Sequence, residues 1–338
     1  MGDNGKLLTV VVPTYNMEKY LPECLDSVTA DIVSDRLEVV VVNDGSKDSS
    51  LEIARRYESK RPDIVRVIDK ENGNYGSCVN AGLAVATGKY FRILDADDWF
   101  DTMSLVALLE KLQDCEADLV ITLITEDVYR EEIKMCEVRY PFTTIQKDFL
   151  YHTSEIYLQD YEHNAEFRMH GMTYKTAVVR KSGLHMPEGV SYTDNVYLFQ
   201  PFAYTDSLVV YDIYLYHYRQ GRDGQTMNPK IQKKNLRDVA VVTNCLLREF
   251  DNTPQDECLK KNQETLLQGS IGLLMYILKR QRGVSPECRD LLEEIIKRLN
   301  KYGISHRLFR KKWYFKLWKK TESSRVLDVA LTLNGLFR

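Results

Sequence analysis

The sequence predicts an α/β fold with a mainly parallel sheet, followed by a helical region. Two runs rich in β-branched residues, Leu7 to Val12 and Leu37 to Val42, are typical of parallel strands that are covered on both faces. A helical pattern follows each run, as alternating strands and helices require. After Pro229 the pattern is helical throughout. We therefore expect an α/β domain over residues 1–228 and a helical region over residues 229–338.

Three polar loops follow predicted strands in the first part of the chain. They comprise residues 13–16, 43–46 and 95–98, and each comes directly after an apolar run. Ligands of open α/β sheets bind in the crevice outside the carboxyl ends of the strands. We therefore expect the three loops to meet at one ligand-binding crevice.

The third loop, Asp95-Ala96-Asp97-Asp98, predicts a metal site. Carboxylates this close repel one another, and a divalent cation offsets that repulsion. Hard oxygen ligands suit Mg²⁺ or Mn²⁺. The alternative is a solvated acidic turn ahead of a helix that starts near Thr102, with Asp98 capping that helix.

The order and spacing of these motifs resemble the amino-terminal half of family 2 glycosyltransferases. The resemblance covers residues 7–125 and continues with fewer motifs to about residue 225. It implies a GT-A nucleotide-diphospho-sugar transferase fold, which is a Rossmann-like mixed sheet, with a nucleotide-diphosphate sugar donor, a divalent metal and inversion at the anomeric carbon. The matching segments are Val11–Asn16, Val41–Asp48, Asn80–Gly82, Thr87–Tyr90 and Leu94–Asp98.

The resemblance implies that the strand-end loops hold the nucleotide-sugar donor. Tyr15 would form a wall for the base and Asp44 would accept its ring N–H; ordinary packing and an Asx turn are the alternatives. The family often has a basic residue before the matching asparagine of the third helix, where this chain has Val79. The implied donor-binding residues are Pro13, Tyr15, Asn16, Asp44, Asn80, Asp95, Ala96, Arg219 and Arg222.

The resemblance also implies a set of metal ligands and a phosphate clamp. In the family pattern Asp97 holds the cation and Asp95 reaches the ribose or the metal through water, which would stabilise the diphosphate leaving group. His217 matches a third ligand seen in some GT-A enzymes, and a buried strand histidine is the alternative. Arg219 and Arg222 belong to a loop that closes the nucleotide site in many members. Their geometry suits phosphate, and surface charge is the alternative.

Asp194 is the predicted catalytic base. An inverting transfer needs a group that takes the proton of the acceptor hydroxyl, and Asp194 matches the second acid of the family's Glu-Asp pair. Thr193 occupies the place of the first acid. The alternative for Asp194 is the N-cap of the following helix. His170 and Gly171 match the segment that lines the acceptor pocket, although a lone histidine is more often structural.

Composition limits the classes of protein to consider. The 338 residues are 44% hydrophobic and 28% charged with a net charge of −3, which gives no reason to expect nucleic acid as a partner. Seven cysteines without a Cys-x-x-Cys pair argue for a reducing compartment. A polar amino terminus and apolar runs too short for a membrane span predict a cytoplasmic protein.

The helical region ends with a basic and aromatic stretch, residues 306–320, that contains no acid. It suits an anionic membrane surface, with rings at the headgroups and lysines at the phosphates. Helical spacing places Phe309, Trp313 and Leu317 on one face, which also suits docking on the body of the protein. The first alternative predicts a peripheral location on the inner face of the plasma membrane. Upstream, helical patterns cover residues 233–250, 253–279 and 285–301.

Together these features predict an enzyme, an inverting and metal-dependent glycosyltransferase. It would move one sugar, because the sequence lacks the Gln-x-x-Arg-Trp of processive members, from a UDP-sugar to a hydroxyl of a lipid-linked or polymeric glycan in surface polysaccharide synthesis. The alternative, motivated by Val79 and Thr193, is a catalytically silent nucleotide-sugar-binding or scaffolding subunit. A sugar nucleotidyltransferase would need a glycine-rich basic loop where residues 13–16 stand.

Overall fold

The computed structural model describes residues 5–130, 133–139, 145–156, 168–221, 235–253 and 256–336. Its ten strands form one mixed sheet within these residues. They are β1 Leu8–Thr14, β2 Leu37–Asp44, β3 Val65–Lys70, β4 Tyr90–Ile93, β5 Trp99–Phe100, β6 Leu119–Arg130, β7 Ile133–Arg139, β8 Leu150–His152, β9 Met172–Lys175 and β10 Ser207–Gln220.

The sheet has the order β3-β2-β1-β4-β9-β6-β10-β5, with β7 paired to β6 and β8 to β10. Strands β3, β2, β1 and β4 are parallel. Strand β9 runs antiparallel between β4 and β6, and β10 lies parallel to β6. The carboxyl ends of β1, β2 and β4 therefore lie at one edge of the sheet, and β9 lies beside β4. This arrangement confirms the predicted Rossmann-like mixed sheet.

Twelve helices are described: α1 Leu21–Thr29, α2 Ser50–Lys60, α3 Asn74–Val85, α4 Thr102–Asp114, α5 Thr176–Lys181, α6 Asp194–Phe199, α7 Leu236–Asn252, α8 Glu257–Leu278, α9 Pro286–Lys301, α10 Arg307–Lys311, α11 Trp313–Thr321 and α12 Ser324–Leu336. Short 3-10 turns cover Thr153–Glu155, Met169–Gly171 and Pro201–Tyr204. None of the described helices combines the length and the apolar composition that crossing a bilayer requires.

Alternate residues of the central strands pack into two separate cores, because successive side chains of a strand point to opposite faces. This explains why the two predicted runs are apolar without alternation. One core contains Val11, Val40 and Val42, and the other contains Val10, Val12, Val39 and Val41.

The first core continues into the helical region. It includes Leu267 of α8, Leu292 of α9 and Trp318 of α11 together with Val11 of β1. The helical region therefore packs on the α/β region through shared buried side chains. The predicted boundary at residues 228 and 229 lies outside the described residues.

The three predicted helices correspond to α7, α8 and α9. Pro286 is the first residue of α9, where its missing N–H has no helical partner to lose. The helix expected from residue 253 begins later, since Asp256 is the N-cap of α8 and accepts a hydrogen bond from Leu259 N at 2.8 Å. A carboxylate is a stronger cap than the predicted threonine hydroxyl.

Candidate functional site

The loops after β1 and β2 are joined by side-chain hydrogen bonds. Lys47 N donates to Asn16 Oδ1 at 2.8 Å, and Asn16 N donates to Ser46 Oγ at 3.1 Å. Asn16 has a φ of 53°, a left-handed conformation that asparagine tolerates. Pro13 is buried in β1, whereas the side chain of Tyr15 is 45% exposed at the crevice. The Tyr15 ring is therefore free of core packing and can stack on a planar ligand.

Asp44 lies at the end of β2 and is buried. Its Oδ1 accepts hydrogen bonds from Lys70 Nζ at 2.7 Å and from Gly73 N at 2.9 Å. Its carbonyl oxygen accepts a hydrogen bond from Asn72 Nδ2 at 2.9 Å. These bonds hold the loop that begins α3, so at least one carboxylate oxygen of Asp44 has a structural partner. The predicted contact of Asp44 with a base remains a prediction.

One face of α3 braces the segment 186–189, which precedes α6. Asn80 Nδ2 donates to Met186 O and Asn80 Oδ1 accepts from Met186 N, both at 2.9 Å. A Cβ on Gly76 would lie 2.3 Å from Pro187 O, so only glycine permits this approach. Asn80 was predicted to bind the donor. In the structure its side-chain amide bonds to Met186 and to Glu188 Oε1, and its contact with a donor remains a prediction.

The acidic cluster after β4 is enclosed. Asp97 and Asp98 are 8% and 1% exposed, so the alternative of a solvated acidic turn is wrong. Asp98 does not cap the next helix either, because the N-cap of α4 is Asp101, which accepts from Ser104 N at 2.8 Å. The cluster therefore has an interior environment that its sequence does not reveal.

Two tyrosines reach this cluster from distant parts of the chain. Tyr75 of α3 donates its hydroxyl to Asp95 Oδ1 at 2.7 Å. Tyr216 of β10 donates its hydroxyl to Asp98 Oδ2 at 2.7 Å and accepts from Asp95 N at 3.2 Å. The other oxygen of Asp98 accepts from Arg219 N at 2.7 Å. Both carboxylates are thus oriented before any ligand binds.

Burial raises the pKa of Asp98 well above its ordinary value, and the nearby Asp97 and Asp95 carboxylates raise it further. The hydrogen bonds from Arg219 and Tyr216 act in the opposite direction. A cation placed among these carboxylates would reverse the effect, because it stabilises their ionised form. The electrostatics of the cluster therefore favour a positively charged ligand.

Asp95, Asp98 and His170 could hold a metal ion together, since one ligand atom of each lies within 4.8 Å of the others. His170 Nε2 lies 3.6 Å from Asp95 Oδ2. The other ring nitrogen of His170 is buried and has no hydrogen-bond partner among the described residues. Two carboxylates with an imidazole suit Mn²⁺, and the carboxylates alone suit Mg²⁺. The residues present therefore fit the cation that the sequence implies.

This group differs from the predicted metal ligands in two members. Asp97 and His217 are absent from it within the described part of the chain. His217 Nδ1 lies 2.7 Å from Asp127 Oδ2, and its ring stacks on Trp99 with 5.0 Å between centroids. Asp127 is completely buried, so it holds the His217 ring against the sheet. The predicted roles of Asp97 and His217 as metal ligands remain predictions.

Arg219 joins β10 to the acidic loop. Its Nε donates to Asp97 O at 3.0 Å, and its guanidinium forms an ion pair with Glu23. The same group lies 4.7 Å from the ring centroid of Trp99 and 5.2 Å from that of Tyr20. Arg219 is therefore held beside the acidic cluster, where its predicted phosphate contact remains a prediction. The other predicted clamp, Arg222, lies outside the described residues.

Asp194 is the first residue of α6 and is partly buried. The N-cap position belongs to Thr193, whose hydroxyl is buried and has no hydrogen-bond partner in the described chain. Burial raises the pKa of Asp194; the Asp95 carboxylate raises it further and His170 lowers it. Asp194 therefore lies within electrostatic range of Asp95 and His170. A raised pKa makes a carboxylate a stronger base.

A buried arginine supports the turn that carries His170. Arg92 of β4 donates to Thr122 Oγ1 at 3.0 Å, to Thr173 Oγ1 at 2.8 Å and to the carbonyl oxygen of His170. Burial lowers the pKa of Arg92 to about 10, so the guanidinium stays charged at neutral pH. In the same turn, a Cβ on Gly171 would lie 3.0 Å from Thr122 O, which keeps the turn close to β6.

Sequence reasoning missed three of these contributors: Tyr75, Arg92 and Tyr216. A charged residue inside the apolar run at 90–94 is a usable signal for Arg92, because a buried arginine requires partners. Tyr75 and Tyr216 carry no such signal, since tyrosine is common at strand and helix surfaces.

Comparison with known sequences gives a family and many related proteins. The sequence model described as "Glycosyl transferase family 2" matches residues 9–182. The uncharacterized glycosyltransferase EpsJ of Bacillus subtilis is 38% identical over 114 residues, which are 34% of this chain and 33% of that protein. Glycosyltransferase GlyG of Streptococcus pneumoniae is 27% identical over 261 residues, which are 73% of this chain and 83% of that protein. The chain therefore matches about a third of EpsJ and most of GlyG.

Comparison of structures gives a likeness that extends over the whole chain. The crystal structure of S. aureus TarS 1–349 has a TM-score of 0.69 and 17% identity, covering 98% of this chain and 92% of that chain. The same protein in complex with UDP-GlcNAc has a TM-score of 0.66. At this identity the likeness concerns the fold, and it confirms the predicted α/β architecture with its helical region.

Proposed function

This chain belongs to glycosyl transferase family 2, and from that premise we propose that it transfers a single sugar from a nucleotide-diphosphate sugar to an acceptor hydroxyl with inversion. One observation carries the proposal. Asp95, Asp98 and His170 form a group that could hold a cation, and two of its members, Asp95 and His170, act on the pKa of Asp194, which burial raises. In the proposal the base and the cation share one crevice, which is the arrangement that an inverting transfer needs.

The donor would lie along the strand ends of β1, β2 and β4. In the proposal Tyr15 stacks on the base, Asp44 accepts from it, and Arg219 neutralises the diphosphate. A bound Mn²⁺ or Mg²⁺ would offset the charge that develops on the leaving diphosphate. TarS, which shares the fold, was crystallised with UDP and with UDP-GlcNAc. This supports the proposal of a UDP-linked donor.

The reaction step assigned to Asp194 is proton removal. The acceptor oxygen forms a bond to the anomeric carbon as the bond from that carbon to the diphosphate oxygen breaks, and the hydroxyl proton goes to the Asp194 carboxylate. Partial burial excludes bulk water, which would otherwise compete with the acceptor. His170, predicted to line the acceptor pocket, has in this proposal the role of a metal ligand, and Gly171 keeps its turn close to the sheet.

We further propose a lipid-linked or polymeric glycan acceptor in surface polysaccharide synthesis. The proposed location is cytoplasmic, peripheral on the inner face of the plasma membrane. The basic stretch 306–320 supports this location, because cations beside aromatic rings suit an anionic headgroup region. The proposed catalytic domain comprises residues 1–228, and residues 229–338 form an appended helical region.

The test uses the purified chain with Mn²⁺ and UDP-, GDP-, CMP- or dTDP-linked sugars, and it measures release of the nucleotide. Asp194→Asn should lower turnover about 10²- to 10⁴-fold, the usual contribution of a general base, while donor binding is retained. Asp31→Asn is the matched control, because Asp31 is an exposed carboxylate in the loop before β2, away from the strand ends that form the site.

The result that would contradict the proposal is donor binding without turnover. Thermal stabilisation by a nucleotide sugar reports binding to the native state. If the wild-type chain is stabilised but transfers sugar to no acceptor and hydrolyses no donor, the silent nucleotide-sugar-binding subunit becomes the better assignment. Thr193, standing in place of the first acid, is the feature that favours that second candidate.

A further inference from the structure

The basic stretch at residues 306–320 separates into two faces in the structure. Its buried face, which includes Phe309, Phe315 and Trp318, belongs to the core that continues from the sheet. Trp313 and Leu317 are instead 50% and 36% exposed. The sequence left two alternatives for this stretch, packing on the body of the protein and binding to a membrane. The buried face packs on the body, and the exposed face is available for the membrane.

Helix α12 adds a second apolar row beside these two side chains. Val329 and Leu333 are 61% and 45% exposed, and they line an open groove of about 310 Å³ with Trp313 and Leu317. Val326, Ala330 and Arg325 complete the lining. The structure describes nine exposed large apolar side chains, and these four lie together. An exposed apolar patch of this kind marks an interaction site.

Positive charge is concentrated in the sequence that forms one side of the groove, and Arg325 lines the groove itself. Residues 307–325 contain eight lysines and arginines against the single acid Glu322. Six of the eight are exposed, although the whole chain has a net charge of −3. The exposed cations are Arg307, Arg310, Lys311, Lys316, Lys320 and Arg325. The exposed apolar side chains of α11 and α12 thus lie in a segment, α10 to α12, that is rich in exposed cations.

We infer that the α11–α12 face, meaning the groove and the cations beside it, docks on an anionic membrane surface. Its four exposed apolar side chains would enter the interface between headgroups and acyl chains, and the cations would meet lipid phosphates. The inference rests on the proposed peripheral location. It specifies the surface that contacts the membrane, which is formed by the two helices α11 and α12. It also brings in Val329 and Leu333, which lie outside the basic stretch.

Two other partners for this face, a second copy of the chain and nucleic acid, fit it less well. In a symmetric dimer the same patch would face itself, so a second copy would set one cluster of cations against another. Nucleic acid would satisfy the cations, but it offers little to the four apolar side chains between them. An anionic bilayer satisfies both, because it presents phosphates above an apolar layer.

The experiment is flotation of the full chain with vesicles of phosphatidylglycerol and phosphatidylcholine. Leu317→Glu and Val329→Glu each place a carboxylate in the groove, at positions exposed enough for the fold to tolerate it. We expect each variant to bind about tenfold more weakly, since it loses apolar burial and adds repulsion from anionic lipid. Met103→Glu, at a side chain 62% exposed on α4, is the matched control and should bind like the wild type.

The outcomes separate this inference from the proposed function. If the wild type binds vesicles and both groove variants bind equally well, the membrane location stands and the α11–α12 face is wrong. If the wild type binds no anionic vesicles, the inference and the membrane location both fail, and sugar transfer is still tested by nucleotide release. If light scattering instead finds a dimer that Val329→Glu dissociates, the face joins two copies of the chain and the inference is overturned.

Discussion

The two walls of the candidate site obtain their functional groups in different ways. The first wall consists of the loops after β1, β2 and β4, whose polar residues are consecutive in sequence. The second wall lies within residues 168–219, and its groups reach the first wall across long separations; Tyr216 and Asp98, for example, are 118 residues apart. Residues at one strand end can place several carboxylates close together because they are neighbours in sequence. The groups that orient these carboxylates are distant in sequence, and strand pairing brings them close.

The two walls also differ in charge. The first contributes carboxylates: burial raises the pKa of Asp98 most, and repulsion from Asp97 and Asp95 raises it further. The second contributes hydrogen-bond donors, such as the Tyr216 hydroxyl and Arg219 N, which lower it. Neither wall alone is a stable arrangement, because buried carboxylates need compensation. The site therefore forms only when β9 and β10 have joined the sheet that contains the parallel strands β1, β2 and β4.

The largest effect should follow from a change in the first wall. Asp95→Asn removes the charge at the centre of the candidate metal group while leaving an oxygen to accept from Tyr75. We expect kcat/KM for the donor to fall about 10³-fold, because charge stabilisation of a leaving group is usually the largest catalytic contribution. Nucleotide release at saturating Mn²⁺ measures it. Asp31→Asn should leave the rate unchanged, and a small effect of Asp95→Asn would place the essential charge elsewhere.

The second prediction concerns the arginine that connects the walls. Arg92→Met removes the donor to Thr122, Thr173 and the His170 carbonyl, and it leaves that buried oxygen without a partner. We expect the free energy of unfolding to fall by about 2–3 kcal/mol, as for a buried hydrogen-bond network that loses its donor. Urea denaturation measures it.

Arg56→Met is the control for that prediction. Arg56 is exposed on α2, and substitutions at such positions usually change the free energy of unfolding by less than about 0.5 kcal/mol. If Arg92→Met has no larger effect than this control, the buried guanidinium is not needed to join β4, β6 and β9.

Sequence predicted the first wall well and the second poorly, for a physical reason. Continuous apolar runs specify buried parallel strands, and the polar residues that end them must lie at the sheet edge. This reasoning placed the loops at 13–16, 43–46 and 95–98 correctly. It did not reveal that Asp98 accepts from Tyr216, because Tyr216 reaches Asp98 only after β10 has paired with its neighbours.

The same limit explains the histidines. His170 and His217 look alike in sequence, as lone histidines near aromatic residues. In the structure His217 has a buried carboxylate partner in Asp127, which β6 supplies through its pairing with β10. His170 has no hydrogen-bond partner for Nδ1 among the described residues and points Nε2 toward Asp95. Only the strand pairing separates a structural histidine from a candidate ligand.

The third prediction tests this separation directly. His170→Gln should raise the Mn²⁺ concentration needed for half-maximal nucleotide release about 10- to 100-fold, a range that even groups behind the metal ligands can reach. His217→Gln is the matched change at the histidine that matches the third ligand of some GT-A enzymes, and it should leave that concentration unaltered. The reverse result would restore His217 as the ligand and leave His170 as a structural residue.

Among the expected changes in stability, the smallest should come from Asp194→Asn. Burial raises the pKa of Asp194 in the folded state, so the ionised carboxylate destabilises the native fold. The protonated form is favoured in acid, and the stability it contributes there is lost as pH rises through the raised pKa. Asp194→Asn stays neutral, so it should melt slightly above the wild type at neutral pH, with the difference disappearing below the ordinary carboxyl pKa of about 4. Thermal melts across pH measure this. A helix cap would give the opposite sign, because losing the cap lowers the melting temperature. If Asp194→Asn is more stable than the wild type and inactive, Asp194 has a catalytic role. If the variant is less stable, Asp194 has a structural role in α6.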